Sequence, residues 1–413
     1  MKTKRRKIVI EVLKFIVAGS LLGWVLSQAS WHDYVTIAQG PYKGDHAFVG
    51  VQPDAANQQK IVIDTGMFWW KKQISLPFAE IEPIRNTQGQ PNRDPAGNIE
   101  FVRKGFISSL KDVNVTLLAI ALLGFLLSVF VVAIRWWFLL RLQDIHIRAW
   151  EAIRLTFLGN FFNLFMPSTV GGDLAKAYYV SKYTPRKAAV LVSIFVDRVL
   201  GLTELALLAS VMLIMVLSLG LETFERLHDA AVTVAVVMVI VVCALTFLLS
   251  ARVRQMLHLQ KLYSKMSFAH HIAAAGDAAK LYRRRLPGLA KAIAITFGAH
   301  ILWVGSVALI GMSLPEMRSA TSWYSYFVYI PLIYIIGSLP ITIGGVGLIE
   351  KLYIVGFATV SPSIVLVLAL LARFLPILCW GVPGFIVYMN GPRIPKAEQM
   401  EAELEAGGTP QRH

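Results

Sequence analysis

Cysteine is scarce in this 413-residue chain, which contains only Cys243 and Cys379, both inside apolar runs. Two such cysteines supply neither a disulfide framework nor the spacing of a metal site. The nine histidines show no metal spacing either, so we expect no metal and no cofactor. The sequence also lacks an Asp-x-Asp pair and any Ser/His/Asp or Cys/His arrangement. These absences weaken the classes of metal-dependent and nucleophilic enzymes.

Acidic residues are also few. The chain has 25 Asp and Glu and 40 Lys and Arg, which gives a formal net charge of +15. The basic residues cluster at the ends of apolar segments, which is typical of topology signals and of contact with anionic lipid headgroups. Binding to nucleic acid would require a soluble basic domain, and the sequence shows none. We therefore expect membrane lipids with anionic headgroups, and no nucleic acid, as partners.

Long apolar runs are what the sequence does contain. Hydrophobic residues make up 56% of the chain, against roughly 45–50% in soluble domains. Several runs exceed the length of about 18 residues that crosses a bilayer as a helix. The predicted fold class is an all-α polytopic membrane protein with about six spans, at 8–26, 115–140, 188–220, 230–250, 290–312 and 364–389.

The pattern predicts four segments along the chain. An N-terminal membrane span (1–27) precedes a small β-rich extracytoplasmic insertion (28–112), where short strand-like pieces alternate with turn signals. A membrane domain (113–389) and a disordered cytoplasmic tail (390–413) follow. The basic N-terminus and the even number of spans place both termini in the cytoplasm, with the protein in a bacterial inner membrane.

One phrase, Pro-x-Thr-[Val/Ile]-Gly-Gly, occurs twice, beginning at Pro167 and at Pro340, which are 173 positions apart. Each copy follows an apolar piece, 153–166 or 327–339, that is too short to cross a bilayer. These pieces predict two re-entrant hairpins that open to opposite sides. The same offset carries Arg198 to position 371, two positions before Arg373. The sequence therefore predicts an inverted repeat with a substrate site where the broken helices meet.

The breaks in these helices are the predicted binding sites. Helix N-termini that follow paired glycines would aim N–H donors at a phosphate or carboxylate. The alternative is that Gly and Pro only kink packed helices. The candidate residues are Asn160, Asn163, Pro167, Thr169, Gly171 and Gly172 at the first break, and Thr342, Gly344 and Gly345 at the second.

Ionisable residues in or beside the apolar segments are the other candidates: Asp173, Lys176, Asp197, Arg198, Glu350 and Arg373. A charge at bilayer depth costs on the order of 2.5–3.5 kcal/mol, so we expect each of these residues to have a structural or functional role. We expect cross-pairs such as Arg198 with Glu350, or Arg373 with Asp173. The arginines are either headgroup ligands or members of structural ion pairs. Glu204 is ranked lower, and Trp136 and Trp137 are expected to be interface anchors.

The runs GNFFNLFMPSTVGGDLAKAYYVSK, DRVLGLTEL and SLPITIGGVGLIE resemble the lysylphosphatidylglycerol synthase transmembrane-domain family, also called flippase-like membrane proteins. The resemblance covers about 115–389 and implies a lipid-translocating membrane domain. We expect no counterpart of that synthase's soluble aminoacyl-transferase domain. The residues that match the family's motifs are Asn163, Pro167, Gly171, Gly172, Asp173, Asp197, Arg198, Pro340, Gly344, Gly345, Gly347 and Glu350.

Three functions remain open at this point. The first is a flippase-like transporter, not an enzyme, that moves a phospholipid or polyprenyl-phosphate-linked lipid through a polar cavity between the hairpins, with Lys176, Arg198 and Arg373 offsetting its charge. The alternative is an integral membrane glycosyltransferase, or another transferase that acts on lipid-linked substrates. The third is a membrane anchor that presents the β-rich insertion to an envelope partner.

Overall fold

The computed structural model describes residues 16–39, 46–53, 60–65, 72–77, 79, 81–84, 90–91, 99, 101–165, 171–249, 281–282, 284–339 and 341–390. Five helices in this part are long and apolar enough to cross a membrane: Val115–Leu142, Lys187–Ser218, Phe224–Cys243 (within a helix that continues to Leu249), Leu286–Ser313 and Pro362–Met389. The protein is thus mostly helical and polytopic, as predicted. The first predicted span is described only from Ile16 onward, and the predicted tail beyond Asn390 lies outside the described residues.

The helices are numbered in chain order. They are α1 (Ile16–Ser27), α2 (Phe106–Lys111), α3 (Val115–Leu142), α4 (Ala149–Phe165), α5 (Gly171–Ser181), α6 (Lys187–Ser218), α7 (Phe224–Leu249), α8 (Leu286–Ser313), α9 (Pro315–Ala320), α10 (Trp323–Gly337), α11 (Leu348–Gly356) and α12 (Pro362–Met389). The strands are β1 (Tyr34–Thr36), β2 (His46–Pro53), β3 (Lys60–Thr65) and β4 (Lys72–Pro77).

The four strands form one antiparallel sheet in the order β1-β2-β3-β4, with an irregularity in register between Phe48 and Gln52. The sheet falls inside the segment 28–112, where strand-like pieces are predicted. The segment that precedes α2 also pairs with β1, through an isolated antiparallel β-bridge between Tyr34 and Arg103. Ser363 Oγ, at the start of α12, accepts a hydrogen bond of 2.7 Å from Ser30 N, so the end of the α1 segment is fastened to the membrane helices.

Local sequence signals set several of the helix ends. Asn114 caps α3, because its side chain accepts a hydrogen bond of 3.2 Å from Leu117 N. Helices α8, α9 and α12 each have proline in the first turn, where its missing N–H costs no helical hydrogen bond. Helix α6 ends at Ser218, and Gly220 follows its C-cap Leu219 with a φ of 64°, in the left-handed region that glycine tolerates.

The core is built on the packing of α3 against α8, two helices of 28 residues each. Phe125 of α3 meets Trp303 of α8 edge to face at a centroid distance of 4.9 Å. Trp303 in turn stacks on Trp380 of α12 at 5.3 Å. These large rings bury much apolar area at one junction, which fixes three long helices relative to one another.

The remaining packing is reciprocal between the two halves of the chain. Helix α4 packs on α5 and on α12, while α10 packs on α11 and on α6. Each short second helix also packs on the long helix that follows it, α5 on α6 and α11 on α12. Each of these contacts in one half therefore has a counterpart in the other, and this places both breaks against long apolar helices.

Candidate functional site

The first break separates α4 from α5, and the residues that the structure describes on its two sides lie very close together. Asn163 Oδ1 accepts a hydrogen bond of 2.9 Å from Gly172 N. A Cβ added at Gly172 would lie 1.9 Å from the carbonyl oxygen of Gly159, so glycine is required there for the backbones to approach. Pro167 and Thr169 lie outside the described residues. Asn160 is half-buried on α4.

The second break, between α10 and α11, depends on glycine backbone angles. Gly344, Gly345 and Gly347 have φ of 59°, 70° and 78°, a region that other residues rarely adopt. Thr342 is buried beside them, and Pro340 lies outside the described residues. The paired glycines of the repeated phrase, and Gly347, therefore lie where the backbone adopts positive φ.

Two ion pairs connect the breaks to the long helices, one in each half. Arg198 Nε of α6 donates to Asp173 Oδ2 of α5 at 2.8 Å, and Arg373 Nε of α12 donates to Glu350 Oε1 of α11 at 2.5 Å. The predicted cross-pairs, Arg198 with Glu350 and Arg373 with Asp173, are wrong. Each short helix packs on the long helix of its own half, so its carboxylate meets the arginine 25 or 23 residues later in the chain.

The two pairs differ in their exposure to solvent. The side chain of Arg198 is 50% exposed and that of Asp173 14%, whereas Arg373 is 22% exposed and Glu350 only 1%. Arg373 also donates to the carbonyl oxygens of Gly344 and Gly345, at 3.1 and 3.3 Å. The second pair therefore fastens the backbone of its break, while the first leaves its arginine accessible.

Lys176 of α5 is buried next to the first break. It is 7% exposed, and its ammonium lies over the ring of Trp136 at 5.0 Å from the centroid. Among the described residues, no carboxylate lies within the 4.0 Å of an ion pair with this ammonium. Trp136 is 0% exposed, so its predicted role as an interface anchor is wrong. Trp136 of α3 instead belongs to a buried cluster that includes Ala177 and Val180 of α5.

Asp197 forms an ion pair with an arginine of another helix. Its Oδ1 accepts a hydrogen bond of 2.7 Å from Arg135 Nε of α3. Glu204 Oε2 lies 3.6 Å from Nη1 of the same arginine. It also lies 3.4 Å from Nδ1 of His300 in α8. Sequence reasoning missed Arg135 and His300, although their positions inside predicted spans were a usable signal.

A groove of about 540 Å³ runs between α3, α8 and α10. Its lining is apolar and includes Leu123, Leu302 and Phe327, and none of the charged residues described above borders it. The groove is therefore a candidate contact for hydrocarbon chains and is separate from the polar groups at the breaks.

Comparison with known families places the chain. The model of the family described as the lysylphosphatidylglycerol synthase TM region matches residues 103–384, well over half of the sequence. The chain belongs to this family. The matched region of the lysylphosphatidylglycerol synthase family contains both breaks and both ion pairs, whereas α1 and the four strands precede it. Comparison with curated proteins and with solved structures gives no match.

Proposed function

We propose that this membrane protein moves a lipid with a phosphate-bearing headgroup, either a phospholipid or a polyprenyl-phosphate-linked lipid, between the leaflets of a bacterial inner membrane. The headgroup contacts the first break, and the hydrocarbon tails stay in the membrane. Membership of the lysylphosphatidylglycerol synthase family supports a lipid-related role. The charged residues at the break supply the specific chemistry.

Lys176 is the observation that carries this proposal. A buried ammonium without a carboxylate at contact distance carries a desolvation penalty of several kcal/mol, which an anionic ligand can offset. Its position over Trp136 orients the charge beside the break and leaves it without a structural ion pair among the described residues. A phosphate at this point would gain a charge-assisted hydrogen bond of the stronger kind.

The rest of the first break fits the same ligand. Helix α5 begins at Gly171–Gly172, and an N-terminus of this kind favours an anion through its N–H groups and its partial positive charge. Arg198 is half exposed and adds a second positive charge on the side of Asp173. Asn160 and Asn163 line the approach from α4. Arg373 is assigned instead to holding the second break.

The architecture proposed around the site is an inverted repeat. The reciprocal packing of α4 and α10, each against the long helix of the opposite half, supports two halves related by an approximate two-fold axis. In this arrangement α4–α5 and α10–α11 are re-entrant hairpins that open to opposite sides of the membrane. The termini are cytoplasmic, and the sheet lies on the outer side, where it is available to an envelope partner.

Transport is favoured over group transfer. A glycosyltransferase that uses a nucleotide sugar needs groups to hold its metal-bound diphosphate, and the sequence lacks an Asp-x-Asp pair for this. The unusual polar groups instead surround interrupted helices, which is where membrane transporters bind their substrates. We therefore assign binding, and not bond cleavage, to the first break.

Reconstituted vesicles test the proposal. The protein is placed in phosphatidylcholine vesicles with a trace of fluorescent phosphatidylglycerol or fluorescent polyprenyl phosphate, and dithionite reports which probe molecules reach the outer leaflet. Lys176→Met should slow transfer at least about tenfold, since a charge-assisted hydrogen bond contributes roughly 1.5–3 kcal/mol. The variant should remain folded, because methionine preserves the packing and removes a buried charge that has no ion pair among the described residues.

Lys291→Met is the matched control. Lys291 also places its ammonium over a ring, that of Phe138 at 5.8 Å, but it is exposed and distant in sequence from both breaks. This variant should transfer the probes at the wild-type rate. Equal rates in wild type and Lys176→Met would overturn the assignment. Nucleotide release from a sugar donor that Asp173→Asn abolishes would favour the transferase.

A further inference from the structure

Four buried polar atoms lie between α3, α6 and α8 and make no hydrogen bond of good geometry among the described residues, although Thr296 of α8 also faces Glu204. They are Nη1 of Arg135, Nδ1 of His300 and both carboxylate oxygens of Glu204. Glu204 is fully buried, and its contacts of 3.6 Å to Arg135 and 3.4 Å to His300 exceed good hydrogen-bond lengths. Buried polar groups are nearly always hydrogen-bonded, so the cluster can bind a further group that satisfies these atoms.

The charge count of the cluster identifies what is missing. Arg135 is already bound to Asp197, so two carboxylates share one guanidinium at contact distance. A buried excess negative charge is costly. One proton, held by Glu204 or by His300, makes the contact shell neutral. The proton is therefore the ligand that this geometry accommodates.

The other charges lie outside this contact shell. Lys176, over Trp136, interacts electrostatically with Asp197 and Arg135 but is outside ion-pair distance of any described carboxylate, and Arg198 is bound to Asp173. Helix α10 also packs on α6 and has no charged side chain. Helix α7 packs there too, and within its described length its charges lie in the first two turns: Glu225, Arg226, His228 and Asp229.

The cluster also has a position suited to coupling. Arg198 and Arg373 are both the twelfth residue of their helices, which begin at Lys187 and Pro362. The eighteenth residue is Glu204 in α6 but Cys379 in α12, so the ion pair is duplicated and the cluster is not. Because His300 belongs to α8, protonation acts on a contact between the two halves of the chain.

We propose that Glu204, held between Arg135 and His300, is a proton-binding site that couples a proton gradient to transport. This inference rests on the proposed function. The Glu204 carboxylate accepts one proton from one aqueous side and later releases it to the other. Protonation neutralises the carboxylate, which weakens its attraction to Arg135 of α3 and changes its contact with His300 of α8, so that it alters how α6 is held between these helices. His300, at 16% exposure, is the most exposed member of the trio and offers the route to the surface.

Infrared titration tests the site without any transport assay. The purified wild-type protein should show a protonated-carboxyl band that appears and disappears with pH. Glu204→Gln should lose the component of that band that one buried carboxyl contributes, whereas the control Glu222→Gln, which removes the carboxylate paired with Arg226, should keep this component. If Glu204→Gln fails to fold, His300→Gln serves instead, and it should shift the pH at which the band appears. An unchanged band in either cluster variant would overturn the proposal.

A transport measurement tests the coupling. An imposed pH gradient should accelerate transfer of fluorescent phosphatidylglycerol by the wild type at least severalfold, and Glu204→Gln should transfer the probe at one rate with or without the gradient. A wild-type transfer rate that is the same with and without the pH gradient would refute the coupling. If the wild type transfers neither lipid probe, the proposed function fails, while the infrared titration still decides whether Glu204 binds a proton.

Discussion

Replacing Arg373 with methionine tests how the second break is held. The change keeps an unbranched apolar chain and removes the guanidinium. Three hydrogen bonds disappear with it, namely the bond from Nε to Glu350 and the bonds from the terminal nitrogens to the carbonyls of Gly344 and Gly345. Glu350 then keeps one described partner, Gly347 N, at 2.7 Å.

The magnitude follows from burial. Because the Glu350 side chain is only 1% exposed, the stranded carboxylate stays out of water. Removing one partner of a buried pair costs about 3–5 kcal/mol, so Arg373→Met should lower the free energy of unfolding by that amount. Arg198 is 50% exposed, and an exposed pair contributes about 1 kcal/mol or less. Arg198→Met should therefore cost much less, although the two pairs have similar geometry.

Equilibrium unfolding in mixed dodecylmaltoside–SDS micelles, followed by tryptophan fluorescence, measures both losses. Adding Glu350→Gln to Arg373→Met removes the stranded charge while leaving an oxygen to accept from Gly347 N. Most of the lost stability should return in this double variant. Equal losses in the two arginine variants, or no recovery in the double variant, would refute the view that the second pair is structural.

Two further predictions concern the first break and the topology. Gly172→Ala should destabilise by at least about 1–3 kcal/mol through overpacking against Gly159, whereas Gly298→Ala, with open space around it inside α8, should be neutral or stabilise by up to about 1 kcal/mol in the same unfolding assay. In a cysteine-free background, an impermeant maleimide should label Ser319→Cys in intact cells and His146→Cys only after permeabilisation. Destabilisation by Gly298→Ala alone, or the reverse labelling, would contradict these expectations.

The sequence by itself determined the class of the protein, the family and five long apolar helices among the six predicted spans. These follow from local properties, because the length of an apolar run sets whether a helix can cross a bilayer. The positions of the breaks were also readable, since proline and paired glycines impose local backbone constraints. Gly344, Gly345 and Gly347 adopt left-handed angles at the place where the repeated phrase predicted an interruption.

The tertiary structure alone decided which charges meet. Spacing along the chain indicated that Arg198 and Arg373 are related, but the prediction paired each with the wrong carboxylate. Partner choice depends on which helices pack, and α5 and α11 pack on the long helices of their own halves.

The same reason explains what the sequence did not reveal around Glu204. Arg135 and His300 are distant from it in the chain and reach it only because α3, α6 and α8 pack together. The sequence likewise predicted Trp136 as an interface anchor, whereas in the structure Lys176 of α5 lies over its ring. Hydropathy measures the cost of placing a charge in a membrane, whereas the three-dimensional contacts determine which groups offset that cost.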